Sequence, residues 1–598
     1  MLAALALFVA ASTTAPPISV QDNVRPAGRR ESGTFSLNLV ADVGRWRPEG
    51  PEGPAFDVAA FGEESGPLTI PGPFVRVPAG TAVSAAIRNA LSSTLVVHGL
   101  CGRPSTCKPL TISPGATQGI RFTLEEPGTF HYWATTRGVA IGLRQEDESQ
   151  LGGAIVVDPV GAAQADRIFV LTSVPAAPPT GAVPDLKLLA INGRPWPHTE
   201  RLAYAVGDEI RWRVLNLSQD THAMHLHGSY FTVENTGNGL QDQPYRGDQQ
   251  RTGVTELIVP GGIFTMRWSP DRSGHWLFHC HMVAHMTARD ATDGHGTMDT
   301  RAGMAGLVVG IAVTGRDRTA GATRAAARKL TLAIHQDTGR YGSHDGYRFD
   351  LEGVDAPRLS EGPVPGPVLV LTRGEPVEIT IRNDARESSA VHWHGIELES
   401  YFDGVPGWGG APGNITPPIE PGASFVARFT PPRAGTFIYH THWHDEMQLS
   451  GGLYGALIIL EPGQRFDPDT DHIVIMGLNG IETAGSREPF ALNGGAAPAP
   501  ITMKAGMRHR LRLINITPNN VALTFYLTDR GQTSQWRLLS KDGADVPAAQ
   551  SAPKPARQLV SVGETYDFEW FAGDPRPAWL EVRRGNGEWV LQAPIVIR

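Results

Sequence analysis

"EIRWRVLNLSQDTHAMHLHG", residues Glu209 to Gly228, alternates apolar and charged side chains, breaks at a polar pause, and resumes with three histidines at close spacing. A period of two is the signature of a half-buried strand, and Ser-Gln-Asp is turn material. The same alternation returns in "VRVPAGTAVSAAIRN" (from Val75), "VEITIRND" (from Val377) and "RHRLRLINI" (from Arg508). With 68 glycines and 48 prolines, the chain favours short strands and many turns over long helices. These runs of about six residues read as all-β Greek-key sandwiches. Helix is expected only in short pieces, one of them after His281.

A chain of 598 residues exceeds one hydrophobic core and calls for roughly three to five domains. An internal repeat supplies the division. "PGPFVRVPAG" (from Pro71) reappears as "PGPVLVLTRG" (from Pro365), and "EEPGTFHYWATT" (from Glu125) as "PRAGTFIYHTHW" (from Pro432). "AINGRPWP…RWRVLNLSQDTHAMHLHG" (from Ala190) corresponds to "ALNGGAAP…RLRLINITPNNVALTFYL" (from Ala491). The order is A, B, A′, B′: four sandwiches as two A–B pairs, with domains expected at 31–160, 161–316, 330–462 and 463–598. A basic, Ala-rich connector from Thr314 to Leu330 joins the pairs.

The net charge of −8 leaves no basic footprint for nucleic acid and no polybasic membrane patch. The opening "MLAALALFVAASTTAPP" has a short apolar run and then small residues, so residues 1–30 are expected to be a secretory signal and flexible start, with cleavage after Ala11. The run lacks a positive flank and is too short to span a bilayer. Export, periplasmic or extracellular, makes a disulfide between Cys101 and Cys107 the expected state and leaves Cys280 unpaired.

Ten of the 20 histidines fall in four clusters. Unit B carries His222, His225 and His227, then His279, His281 and His285 around Cys280; unit A′ carries His392 and His394, then His440 and His442. Residues two apart on a strand share a face, so each H-x-H pair aims two imidazoles at one place. In His279-Cys280-His281 the thiol points away from both neighbours, toward a different site. His222 and His285 remain as its partners once the pairs are assigned. One thiolate with two imidazoles is a blue-copper set, and clustered imidazoles suit further copper. Zinc, at four ligands per site, fits a mixed set of this size less well.

In spacing and composition these clusters resemble the four signature motifs of the multicopper oxidase family, from about residue 35 onward. The resemblance implies tandem cupredoxin-like domains and four copper ions. It assigns His222, Cys280 and His285 to type 1 copper, His225 and His392 to type 2, and His227, His279, His281, His394, His440 and His442 to the type 3 pair. It also implies a laccase-like activity: a small reducing substrate is oxidised at type 1, and dioxygen is reduced to water at the three-copper cluster.

Units A and B′ depart from the pattern. Ungapped alignment of the repeats puts His98 and Leu100 in the places of His392 and His394, and Trp133 and Thr135 in those of His440 and His442. In B′, Val521, Thr524 and Tyr526 replace His222, His225 and His227. One complete site is therefore expected, between B and A′, whereas the family's common three-domain members carry their ligands in the first and last domains. His98, His131 and His295 read as structural, and His444 as a neighbour of the site or a surface residue.

The family's axial methionine position falls on Asp290, but the insertion "MTARDATDGHGTMDTRAG" moves the matching "GMAGLVVG" downstream and makes Met304 the axial candidate, with Met286 and Met298 behind it. Val283 and Ala284 stand where the family often has a proton-delivering carboxylate. Asp403, in "YFDGVPG", matches another family carboxylate; it either relays protons near type 2 copper or shapes the Asp-Gly turn. The substrate stays open between a phenolic or aromatic donor and a metal ion such as Cu(I) or Fe(II). The insertion, with Met286, Asp290, Asp293, His295, Met298 and Asp299, is either part of a metal-donor site, a lid, or a surface loop. A copper nitrite reductase lacks the paired H-x-H motifs, and a non-catalytic copper carrier would not need the full ligand set.

Overall fold

Strand Val377–Asn383 buries every second residue, and Thr81–Asn89 does the same, as their alternation requires. Other strands are buried on both faces: Gly152–Asp158 in A and Tyr454–Leu460 in A′ have no exposed position. Their near-continuous apolar sequences, "GGAIVVD" and "YGALIIL", reflect a second layer of protein on the outer face. The structure, a computed structural model, describes all residues except 1–14, 32, 104–106, 162–164, 174–188, 287–303, 319–325, 481–488 and 520–521. The expected secretory segment and most of the insertion after Met286 lie outside the described residues.

The described strands form eight sheets, two for each repeat unit. Each pair closes on its own apolar core. In A, Phe35, Leu37 and Val83 meet Phe130, Tyr132 and Ile155; in B, Phe169, Trp212 and Val214 meet Met224, Phe278 and Val309. Units A′ and B′ repeat this, with Phe349 and Ile379 against Trp393 and Tyr439, and Leu511 and Phe568 against Phe525 and Leu580. Strand accounts for 53 % of residues and helix for 4 %, an all-β architecture. Among the described residues no helix is long and apolar enough to cross a membrane.

The pairing is not purely antiparallel. In each unit the first long strand lies parallel to a later one: Thr34–Trp46 on Thr81–Asn89, Arg167–Ser173 on Ile210–Asn216, Arg328–Tyr341 on Val377–Asn383, and Asp471–Leu478 on Met507–Asn515. Alternation predicts a strand but not its direction; Greek-key connections that pass between sheets return the chain in the same sense. That all four units share the pair is the structural counterpart of the sequence repeat.

The joint between units repeats as well. Phe74, Ala154 and Val156 of A pack on Ile168, Val170 and Leu215 of B, while Val368, Ala456 and Ile458 of A′ pack on Ile473, Ile475 and Ile514 of B′. Each buried Val or Ile there contributes about 1.5–3 kcal/mol. Cys101 and Cys107 form a disulfide with Cα atoms 5.5 Å apart, and Cys280 is free and buried.

Candidate metal centre between the second and third units

Strand His222–Leu226 pairs antiparallel with Gly274–Cys280, placing Met224 opposite Cys280, His225 opposite His279 and Leu226 opposite Phe278. The period of two then sorts the side chains. Cys280 and Met224 point into the core of B, whereas His225, His227 and His279 point out toward A′. In A′, His392–His394 pairs with Gly435–His440, so His392 faces His440 across one rung.

On the inward side, His222, Cys280 and His285 come together. The thiol Sγ lies 3.5 Å from His285 Nδ1 and 3.8 Å from His222 Nδ1, and these nitrogens are 3.0 Å apart. Ser218 Oγ holds the far nitrogen of His222 at 2.8 Å. A single 3-10 turn, Val283–His285, brings His285 back under Cys280, the short helical piece expected after His281. Burial pushes the Cys280 thiol up to about 12 and the His222 imidazole well below its usual value. A thiolate is favourable in such a place only with a cation beside it.

Met304 re-enters beside this site: Ala305 N donates to Met286 O (2.9 Å) and Leu307 N to His285 O (3.2 Å). Met304 packs against the cluster of Trp196, Leu277, Met286, Val308 and Val405, while Cys280 belongs to the core containing Met224 and Leu307. Of the other sulfur candidates, Met286 is described and Met298 is not.

On the outward side, eight buried imidazoles from two units converge. Among the described residues their ligand-type nitrogens form three groups, each within 4.8 Å: His225, His227 and His392; His227, His279 and His442; and His281, His394 and His440. The six imidazoles expected at the type 3 pair thus separate into two triads, each drawing on both units, a division the motifs alone do not give.

Acceptors at the rear fix which nitrogen faces inward. His225 Nδ1 donates to Val254 O (2.9 Å), His279 Nδ1 to Cys280 O (2.8 Å), His392 Nδ1 to Asp403 O (2.7 Å) and His440 Nδ1 to Thr441 O (2.6 Å). His227 Nδ1 donates to Asp403 Oδ2 at 2.7 Å. Carbonyls and carboxylates only accept, so each of these imidazoles, with its one proton on Nδ1, presents an Nε2 lone pair to the centre. Nε2 of His225, His392, His440 and His442 has no partner, and Nε2 of His227 and His279 face each other at 2.9 Å. Unpaired lone pairs buried at such distances are costly. They fit a metal ion, and the second set of hydrogen bonds is the arrangement that orients metal-bound imidazoles.

Burial first, then neighbouring imidazoles, depresses the pKa of His225, His281, His394, His440 and His442 well below the usual histidine range. His279 is depressed likewise, and His227 is pushed down to about 4. These seven imidazoles are therefore neutral, as metal ligands must be. Burial opposes ionisation of Asp403, but His392 and His227 outweigh it and hold the carboxyl below the usual carboxylate range. Gly404, at φ +85°, runs so close to Val391 O that a Cβ would sit 1.8 Å from it. That turn seats Asp403 between the two units, where it orients His227 of one and His392 of the other.

The other histidines stay apart. His444 lies against Trp443 and 3.3 Å from Glu387. His98 faces Trp133 across the rung that corresponds to His392–His440. In B′, Thr524 faces Arg583, the counterpart of His225–His279, and Leu523 faces Arg584 where Met224 faces Cys280. Cations thus stand in the ligand places of B′. Sequence reading missed the supporting acceptors, Ser218 and the carbonyls of Val254, Thr441 and Gly563; backbone acceptors leave no mark in a sequence.

Family models for multicopper oxidases match residues 168–292 and 353–464, the stretches that carry these clusters. The multicopper oxidase MCE of Talaromyces pinophilus is 39 % identical over 136 residues, 23 % of this chain and 20 % of that protein. Laccase-12 of Oryza sativa subsp. japonica is 28 % identical over 213 residues, 29 % of this chain and 35 % of that protein. The chain therefore matches about a third or less of the length of these relatives. The blue copper oxidase of Nitrosomonas europaea is 21 % identical, with 46 % of this chain and 85 % of that one covered and a TM-score of 0.36.

Proposed function

We propose, because the chain belongs to the multicopper oxidase family, that it is a laccase-like oxidase coupling one-electron oxidation of a small substrate to reduction of dioxygen to water. The observation that carries this reading is the tripeptide His279-Cys280-His281. Its thiol belongs to one group of ligand atoms and its two imidazoles to the other, one in each triad. Copper at these groups, one ion with Cys280 and three among the imidazoles, would supply one-electron transfer and dioxygen chemistry. His222, Cys280 and His285 would hold the first ion, with Met304 as the axial candidate. His225 and His392 would hold the second, and His227, His279 and His442 with His281, His394 and His440 the remaining two.

The residues of the chain do the rest. Ser218 fixes the ring of His222, and the covalent path from Cys280 Sγ through its backbone to both neighbouring imidazoles links the sites. Asp403 sets the inward nitrogens of His227 and His392. The aliphatic residues around Cys280 exclude water from the thiol. Export by the N-terminal segment fits the disulfide and the oxygen-dependent chemistry.

A phenolic or aromatic donor is favoured by Trp408, a half-buried indole packed on the apolar group of Trp196, Met286 and Val405, of which Met286 follows His285 directly in the chain. A Cu(I) donor is the second reading, because the soft thioether of Met286 lies in that same group. Copper quantitation and oxygen uptake across phenols, Cu(I) and Fe(II) test the proposal. A copper-loaded chain with about four copper ions that consumes no oxygen with any of them overturns it.

A further inference from the structure

His394 is the exception within the ring of imidazoles. Its Nε2 points outward, donating to Gly563 O at 2.7 Å, and its Nδ1 faces His281 Nε2 at 3.2 Å. The acceptor comes from neither ligand-bearing unit. Gly563 lies in B′, the fourth unit, just before strand Glu564–Ala572. Its φ is +76°, and a Cβ there would lie 2.8 Å from His281 Cδ2 and 2.9 Å from His281 Cγ. One backbone residue of B′ thus touches an imidazole of B and an imidazole of A′.

We infer that B′, which holds no ligand group of its own among the described residues, is a positioning element of the metal centre: Gly563 selects Nδ1 of His394 as its metal-facing nitrogen and seats His281 against it. This rests on the metal reading above and adds a role for the fourth unit.

The surroundings of Gly563 are built to hold it. Its N donates to Asn515 O at 2.8 Å, and its carbonyl also accepts from Thr255 Oγ1 at 3.1 Å. Thr255 Oγ1 is 3.2 Å from His225 Nδ1, so the same hydroxyl touches a third imidazole. Strand Thr255–Ile258 of B is gripped by B′ through a buried clasp. Asp542 Oδ2 accepts from Val254 N (3.0 Å) and Thr255 N (3.3 Å). Lys541 Nζ donates to Thr255 O (2.6 Å) and pairs with Asp542 (2.8 Å) and Glu564 (3.0 Å).

Burying these three charges costs several kcal/mol per ion, more than an apolar joint such as that between A′ and B′. What a charged clasp adds is a fixed register. Here the register sets Val254 O and Gly563 O behind His225 and His394.

The test compares the wild-type chain, Gly563→Ala, Thr255→Val and Gly494→Ala, each loaded with copper and assayed for copper content, blue absorption and thermal unfolding. Gly494 is the control: its φ is +82° and a Cβ would lie 1.9 Å from Val364 O, a harsher clash than at Gly563 but placed at the A′/B′ joint away from the imidazoles. Gly563→Ala should lose copper affinity about 10–100-fold at the triad of His281, His394 and His440 while keeping the blue band. Thr255→Val, which adds no clash, should weaken the same ion to a smaller extent, and Gly494→Ala should lose stability only. If Gly563→Ala does not fold, Thr255→Val decides. Folded variants with wild-type copper content and affinity overturn the inference, as does a Gly494→Ala variant that loses the same copper. A wild-type chain that takes up no copper overturns the metal reading itself.

Discussion

His227 Nδ1 donates to Asp403 Oδ2 at 2.7 Å across the boundary between the second and third units. The same aspartate accepts from His392 Nδ1 through its backbone oxygen. It ties together two imidazoles that share one group of ligand atoms but belong to different sandwiches. Removing the carboxylate leaves His227 free to turn and to present the wrong nitrogen. Asp403→Ala is expected to lower copper affinity and turnover about 10–100-fold while the Cys280 site keeps its blue absorption. Copper titration followed by visible spectroscopy checks this; equal loss of the blue band means that Asp403 acts on the whole fold.

Cys280→Ser should abolish the intense thiolate-to-copper absorption and oxygen uptake without unfolding the chain. Its metal-free form carries a second signature. Burial raises the Cys280 thiol to about 12, above its unfolded value near 9. A raised acid contributes stability that is complete below the unfolded pKa and is lost as pH rises through the folded one. Metal-free wild type should therefore lose about 4 kcal/mol between about pH 9 and 12, at about 1.4 kcal/mol per pKa unit, and the serine variant should not. Chemical denaturation of both at pH 8 and 11 measures the difference.

The imidazoles give the opposite sign. His227 is depressed to about 4 in the fold, so stability present above the unfolded value near 6.5 is lost as pH falls through the folded one. That single group is worth about 3 kcal/mol, and its neighbours are depressed too. The metal-free chain is expected to unfold in acid between about pH 6.5 and 4 with a steep, multi-proton transition. Copper, which binds only deprotonated nitrogens, should move that transition to lower pH. Circular dichroism against pH with and without copper reads it. Coincident curves mean that no metal occupies the ring.

Much of this was legible in the chain itself. The H-x-H spacing on strands of period two placed His225 and His227, or His392 and His394, on one face, and the thiol of Cys280 on the other. The internal repeat located between B and A′ the one complete set found among the described residues. The split of six imidazoles into two triads was not legible, since it depends on how two sandwiches meet. Nor was the parallel first pair of each unit, because alternation carries no direction. Gly563 was invisible for a different reason: its role lies in a carbonyl and a missing Cβ, and glycines are common in the turns of this chain.

The indole of Trp133 lies flat on the imidazole of His98, with ring centroids 4.0 Å apart and planes within 5°. This pair occupies the rung that His440 and His392 occupy in the third unit, so the first unit keeps the ladder and has lost the ligands. His131 of the same unit is buried, its Nε2 2.9 Å from Gly261 O, and burial pushes it down to about 4. It serves the joint with the second unit. If the metal centre forms only between B and A′, replacing His98 and His131 together should leave copper content and blue absorption unchanged. The cost should fall on stability, about 1–3 kcal/mol for the lost buried hydrogen bond. His394→Ala should do the reverse, removing an imidazole from one triad and crippling oxygen reduction while leaving the blue band. Copper stoichiometry and oxygen uptake of the two variants side by side decide it. A double variant that loses copper as His394→Ala does places metal in the first unit and ends the one-centre reading.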